Sequence, residues 1–158
     1  MKEFGEEMKK LTVIIILITG MLVYSADLSA QRSGTGIGFI LAEPTGLCVK
    51  TWMSSRSALV LGAAWSLDTD TWHMHADLVR HSFNLVKVDR TSLAFYYGVG
   101  GRMTKEKKTR AGIRFPLGLN YFFKKVPLDL FFEFVPVFDF VPDTNLRFQG
   151  GFGLRYFF

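Results

Sequence analysis

Between Arg110 and Phe123 the chain alternates with a period of two. Ala111, Ile113, Phe115, Leu117, Leu119, Tyr121 and Phe123 are apolar or aromatic. Interleaved with them are Arg110, Gly112, Arg114, Pro116, Gly118, Asn120 and Phe122, of which only Phe122 is a large apolar side chain. The chain finishes on the same pattern, with Leu146, Phe148, Phe152, Leu154, Tyr156 and Phe158 on one face and Arg147, Gln149, Gly151, Gly153 and Arg155 on the other. Successive side chains leave opposite faces of a β-strand, so this period predicts strands, each with one greasy and one polar side.

Six further segments follow the template less strictly. They run from Gly36 to Ala42, Leu47 to Met53, Ala58 to Ser66, Trp72 to Val79, Ser92 to Arg102 and Leu128 to Val135. Short polar or turn-forming stretches separate them, such as Glu43-Pro44-Thr45-Gly46, Asp68-Thr69-Asp70 and Pro142-Asp143-Thr144. Linkers this short join antiparallel neighbours, so eight strands in an up-and-down meander are predicted. Pro116 and Pro136 each remove a ladder donor and are expected at bulges or rim positions.

A meander of eight strands closes in one of two inverted ways, with its apolar face inward in a soluble barrel or outward against lipid. An eight-stranded interior is only just wide enough for side chains. It cannot hold Phe115, Tyr121, Phe123, Phe132, Phe134, Phe148, Phe152, Tyr156 and Phe158 together. The opposite face carries glycines with Lys50, His73, His75, Asp77, Arg102, Arg110, Arg114, Asp129, Glu133, Arg147 and Arg155. Mixed charges that pair with one another suit a narrow lumen. The fold class predicted is therefore all-β, a closed eight-stranded antiparallel up-and-down transmembrane β-barrel over residues 31–158. Spanning takes about 9–11 tilted residues per strand, which residues 31–158 supply. Hydrophobic residues at 49% and charged residues at 21% exclude a disordered chain.

Residues 1–30 predict export. Lys9 and Lys10 precede an apolar run from Leu11 to Tyr24, followed by Ser25-Ala26-Asp27-Leu28-Ser29-Ala30. The run is shorter than the ~20 residues of a spanning helix and has the layout of a secretory signal peptide, with cleavage expected after Ala30. Acidic residues ahead of Met8 are atypical of such a leader, and Met8-Lys9-Lys10 makes a cleaner start. Removing its three lysines and four acids from totals of 19 and 14 leaves 16 against 10, a net +6 on residues 31–158. The single cysteine, Cys48, excludes an intrachain disulfide and is expected to face inward.

The alternating segments resemble the small eight-stranded outer-membrane barrels of the outer-membrane protein X and OmpA transmembrane-domain type. The resemblance covers the whole of residues 31–158. Its most specific piece is Phe152-Gly153-Leu154-Arg155-Tyr156-Phe157-Phe158, which is similar to the C-terminal signal read by the outer-membrane assembly machinery. The resemblance implies that Phe152, Leu154, Tyr156 and Phe158 are contacted during insertion. It further implies a bacterial outer-membrane location, contact with outer-membrane lipid and lipopolysaccharide, and a monomer. Export removes nucleic acid as a partner for this basic chain. One departure is that the predicted outer loops are short, whereas family members that bind host surfaces have long ones.

Three clusters invite chemistry. His73, His75 and Asp77 share a strand face, as a metal site or acid/base relay would need, but same-face neighbours are ~7 Å apart. A slice of the lumen charge network is the preferred reading, with no metal or other cofactor. Some barrels of this type deacylate or acylate lipid A, the deacylases with His and Ser two residues apart. His73-Met74-His75 and His81-Ser82 lack that spacing, and Ser66 and Ser92 have no His two residues away. A non-enzymatic structural or surface-interaction role with a lumen filled by charged side chains is expected, ahead of a lipid A-modifying enzyme or a narrow solute pore. Lys105, Lys107 and Lys108 form a basic loop expected outside the cell, and Lys124 and Lys125 a turn expected in the periplasm.

Overall fold

A computed structural model describes residues 33–42, 45–66, 71–83, 93–105 and 108–158. The expected leader and its cleavage point at Ala30 lie outside the described residues, as do Lys107 and Ser92. The described residues form nine strands: β1 (Thr35–Leu41), β2 (Gly46–Trp52), β3 (Ser57–Ser66), β4 (Thr71–Ser82), β5 (Leu93–Lys105), β6 (Thr109–Arg114), β7 (Leu117–Phe122), β8 (Leu128–Val141) and β9 (Asn145–Phe157). All pairings are antiparallel, and the sheet curls into a ring closed by β1 against β9.

The ninth strand comes from the sixth predicted one, which is divided at Phe115-Pro116. Both pieces lie between β5 and β8. Their registers run on without a slip, from Arg114↔Val137 to Leu117↔Phe134 on one flank and from Gly100↔Arg114 to Tyr97↔Leu117 on the other. The break is chemical. Gly98 N–H donates to the Pro116 carbonyl at 2.9 Å, and Phe115 N–H donates to the Pro136 carbonyl at 2.9 Å. A closely bonded antiparallel pair exchanges two such bonds, and neither proline has an N–H to return. The prolines therefore stand mid-wall, not at a rim or bulge as expected.

Pro136 has a second consequence. Its missing donor faces β6 and β7, so the ladder to β9 passes through Pro136↔Phe148 undisturbed. For that reason β8 continues to Val141 rather than stopping at Val135. The fourth strand likewise runs past Val79 to Ser82.

Alternation sets the two faces as expected. Phe39 is 63% exposed, Phe132 58% and Phe148 62%, whereas Asp129, Lys50 and Arg155 are buried on the inside. Room for large inward side chains comes from glycines directly opposite them. Gly62 pairs with His75, Gly38 with Arg155, Gly100 with Asp77, Gly112 with Asp139 and Gly153 with Phe131. A Cβ at Gly38 would run into the Leu154 carbonyl and the Arg155 side chain, while one at the outward Gly101 would meet nothing within 4 Å.

Gly38→Val should therefore force open the β1–β9 seam, at a cost of about 3 kcal/mol, the upper part of the range for overpacking. Gly101→Ala should be neutral. Urea titration of the two variants in detergent checks this; equal midpoints would contradict the seam's tightness.

Candidate functional site: the charged lumen and its vestibule

The inward face divides into two levels. Near the chain ends, Lys50 of β2 reaches across the ring. Its Nζ donates to Asn120 Oδ1 at 2.7 Å and to His81 Nε2 at 2.9 Å, and it lies 3.4 Å from Asp129 Oδ2. Arg155 holds the same carboxylate with two nitrogens, Nε to Oδ1 at 2.8 Å and Nη2 to Oδ2 at 3.1 Å. Aromatic rings pack round both cations. Lys50 Nζ stands 4.4 Å from the centre of Trp52 and 5.3 Å from Phe122, and the Arg155 guanidinium 4.0 Å over Phe131. Phe157, Phe122, Asn120 and Cys48 are buried in this layer, Cys48 facing inward as expected.

The second level is a chain of ion pairs across the middle of the ring. Arg114 bridges two carboxylates, with Nη2 donating to Glu133 Oε1 at 3.0 Å and Nε lying 3.2 Å from Asp77 Oδ2. Tyr96 OH donates to the other Glu133 oxygen at 3.0 Å. Above them Arg102 grips Asp139 through Nε and Nη2, the shortest contact being 2.7 Å. Arg147 Nε approaches the same carboxylate at 3.3 Å, with 44% of its side chain exposed.

His73 and His75 are turned toward each other. His73 Nε2 and His75 Nδ1 are 3.2 Å apart, and His73 Nδ1 is 2.8 Å from Thr104 Oγ1. The outer nitrogen of His75 points to Asp77 at 3.8 Å. The pair is thus knitted into the lumen network, and among the described residues no three His, Cys, Asp or Glu groups are placed to hold a metal ion.

Of the residues expected inside, Lys50, His73, His75, Asp77, Arg102, Arg114, Asp129, Glu133 and Arg155 are all buried there. Arg110 is half-buried and Arg147 exposed, both at the rim of a cavity of about 1480 Å³ that opens at the end away from the termini. Asp139, His81, Asn120 and Tyr96 also belong to the network and were not expected in it. Residue parity alone marks Asp139 and His81, since they continue the inward series of β8 and β4. Phe152, Leu154, Tyr156 and Phe158 all lie on the outward face of the last strand and the residue after it. The turn between β5 and β6, with Lys108, and that between β7 and β8, with Lys124 and Lys125, lie at opposite ends of the ring.

A buried pair that loses one partner leaves an uncompensated charge. Asp129→Ala strands both Lys50 and Arg155 and should cost about 3–5 kcal/mol. Arg147→Ala, at the wet rim, should cost less than about 1 kcal/mol. Urea unfolding of the two variants separates them, and a cost at Asp129 no larger than at Arg147 would refute the shared-carboxylate picture.

No family model matches the chain, and no curated protein matches it. A solved structure does: the N-terminal β-barrel domain of Pseudomonas aeruginosa OprF, with a TM-score of 0.56 at 11% identity, covering 80% of this chain and 98% of that one. At that identity the likeness concerns the fold alone: this chain, like that domain, is an antiparallel sheet closed into a β-barrel.

Proposed function

We propose that this chain is an outer-membrane β-barrel protein of a diderm bacterium, inserted as a monomer with eight staves, β6 and β7 together forming one. The observation that carries the reading is the inversion of its surfaces. Phenylalanines and leucines cover the outside of a ring whose inside is built from hydrogen-bonded ion pairs. In water such a surface aggregates; in lipid it is the required one. Aromatic side chains near both ends of the ring support this, with Trp65 paired to Trp72 at one end and Tyr121, Phe123 and Tyr156 at the other. Such girdles sit at the two interfaces of a membrane barrel. The unbroken registers beside Pro116 support the count of eight.

On this reading residues 1–30 are a cleaved leader, lipopolysaccharide and outer-membrane lipid surround the barrel, and its last strand is presented to the assembly machinery. Lys105 and Lys108 lie at the cell-surface end. The role is structural or interactive rather than catalytic. Supporting that, His81 is buried among Lys50, Trp52 and Tyr96. The layer of Lys50, Asp129 and Arg155 with its rings closes the lumen to solutes.

Cell fractionation with a heat-modifiability gel tests the location: the protein should enter the outer-membrane fraction and shift its mobility only after boiling. In planar bilayers the wild-type chain should show no steady conductance, and the double variant Lys50→Ala, Phe122→Ala should gain a measurable one. A conducting wild type would favour a pore. Altered lipid A acylation in a strain making the His73→Ala, His75→Ala, His81→Ala variant would favour an enzyme.

A further inference from the structure

The wall of the ring is not level. β1 and β2 have seven residues each, against ten or more in β3, β4, β5, β8 and β9, and spanning takes about 9–11. The shortfall falls at the end where the cavity opens. Pairing of β1 with β9 stops at Leu41↔Phe152, while β9 continues beside β8 to Asp139↔Asn145. Residues 145–150 thus have β8 on one side and no strand on the other among the described residues. The described flanks of the β1–β2 turn are held together by Ile40↔Gly46 and the Thr45 Oγ1 bond to the Ala42 carbonyl at 3.1 Å.

This notch joins the cavity to the outer surface. Ile40, Ala42 and Leu47 line the cavity from one side of the notch, and Leu146, Phe148 and Gly150 from the other. Its outer lip is apolar, with Phe148 stacked on Phe134 at 5.6 Å. Its inner side is rich in donors. Arg102, Lys108, Arg110, Arg114 and Arg147 line the cavity, against Glu133, Asp139 and Asp143, with Asp77 behind Arg114. The unpaired edge of β9 adds backbone N–H groups. Arg114 Nε, buried on the cavity floor, is ion-paired with Asp77 at 3.2 Å but makes no aligned hydrogen bond.

We propose that the notch between β1 and β9 is a lateral doorway through which a single-chain anionic amphiphile places its carboxylate or phosphate in the vestibule while its acyl chain stays against Leu41, Phe148 and Phe152. The proposal rests on the membrane reading above. Hydrocarbon outside and arginines inside are adjacent here and continuous through the gap. Apart from Trp65 and Ser66, where β3 outruns β2, a ladder of paired strands separates them along the rest of the described wall.

The test uses the full barrel in phosphatidylcholine nanodiscs with a fourteen-carbon fatty acid bearing a mid-chain diazirine, and the same chain ending in a primary amine. The acid should label peptides containing residues 38–47 and 145–151 at least fivefold more than those containing 113–121, and the amine should not. Tetradecanoate and tetradecyl phosphate in excess should compete; inorganic phosphate alone should not. Gln149→Trp, which fills the gap, and Arg147→Ala, which removes its nearest cation, should each cut notch labelling severalfold and leave the heat-modifiable band intact. Even labelling round the ring, equal labelling by the amine, or competition by inorganic phosphate would overturn the proposal. A wild-type protein without a heat-modifiable band would overturn the membrane reading and this doorway with it; an intact band with even labelling would remove the doorway alone.

Discussion

Everything in this fold follows from the need to satisfy the polar inner face of a narrow ring whose outer side is covered with phenylalanines and leucines. The backbone solves most of its part by closing, since paired strands leave no N–H or C=O facing hydrocarbon; in the described wall the edge of β9 over residues 145–150 is an exception. The side chains solve theirs by pairing. Charges pushed inward in such number would repel or remain desolvated unless each met its counterpart. Here acidic and basic groups on opposite strands share ligands: Asp129 takes two cations, Asp139 two, and Arg114 two carboxylates.

Volume is the second constraint, and glycine resolves it. An interior of this width fills before every inward position can carry a side chain. Placing glycine across the ladder from histidine, arginine, aspartate or phenylalanine lets the large group lie over its neighbour. Without those gaps the cations could not reach across to their partners, and the network would be a set of isolated charges. The glycines of the inner face are thus as much a part of the electrostatics as Arg155.

Much of this was legible in the sequence because a period of two assigns every residue a side. Parity puts Lys50, Asp129, Arg114 and Arg155 on one face and Phe132 and Phe148 on the other, and the volume of the rings decides which face is inside. Reasoning failed where it trusted a strand to end. Asp139 lies beyond the predicted end of its strand at Val135, since Pro136 is expected at a bulge or rim; the missing N–H of that proline faces the already broken flank, and the strand continues. His81 was overlooked because the fourth strand was expected to stop at Val79. The division of the sixth strand could not be read locally, for it takes Pro116 and Pro136 acting on neighbouring flanks. Nor was the notch visible, since it arises from the stagger between β1 and β9, a relation between the two ends of the chain.

The shared carboxylate at Asp129 has a bearing on how such a chain enters a bilayer. Lys50 lies in the second strand, while its anion arrives 79 residues later and the competing guanidinium of Arg155 later still. Were hairpins delivered to lipid one at a time from the amino end, a bare ammonium would have to wait in hydrocarbon for most of the journey. The membrane reading proposed above therefore calls for concerted insertion, with the early strands kept wet until the carboxyl-terminal pair is in place. On that reading the β8–β9 pair is the one whose arrival makes β2 tolerable to the membrane.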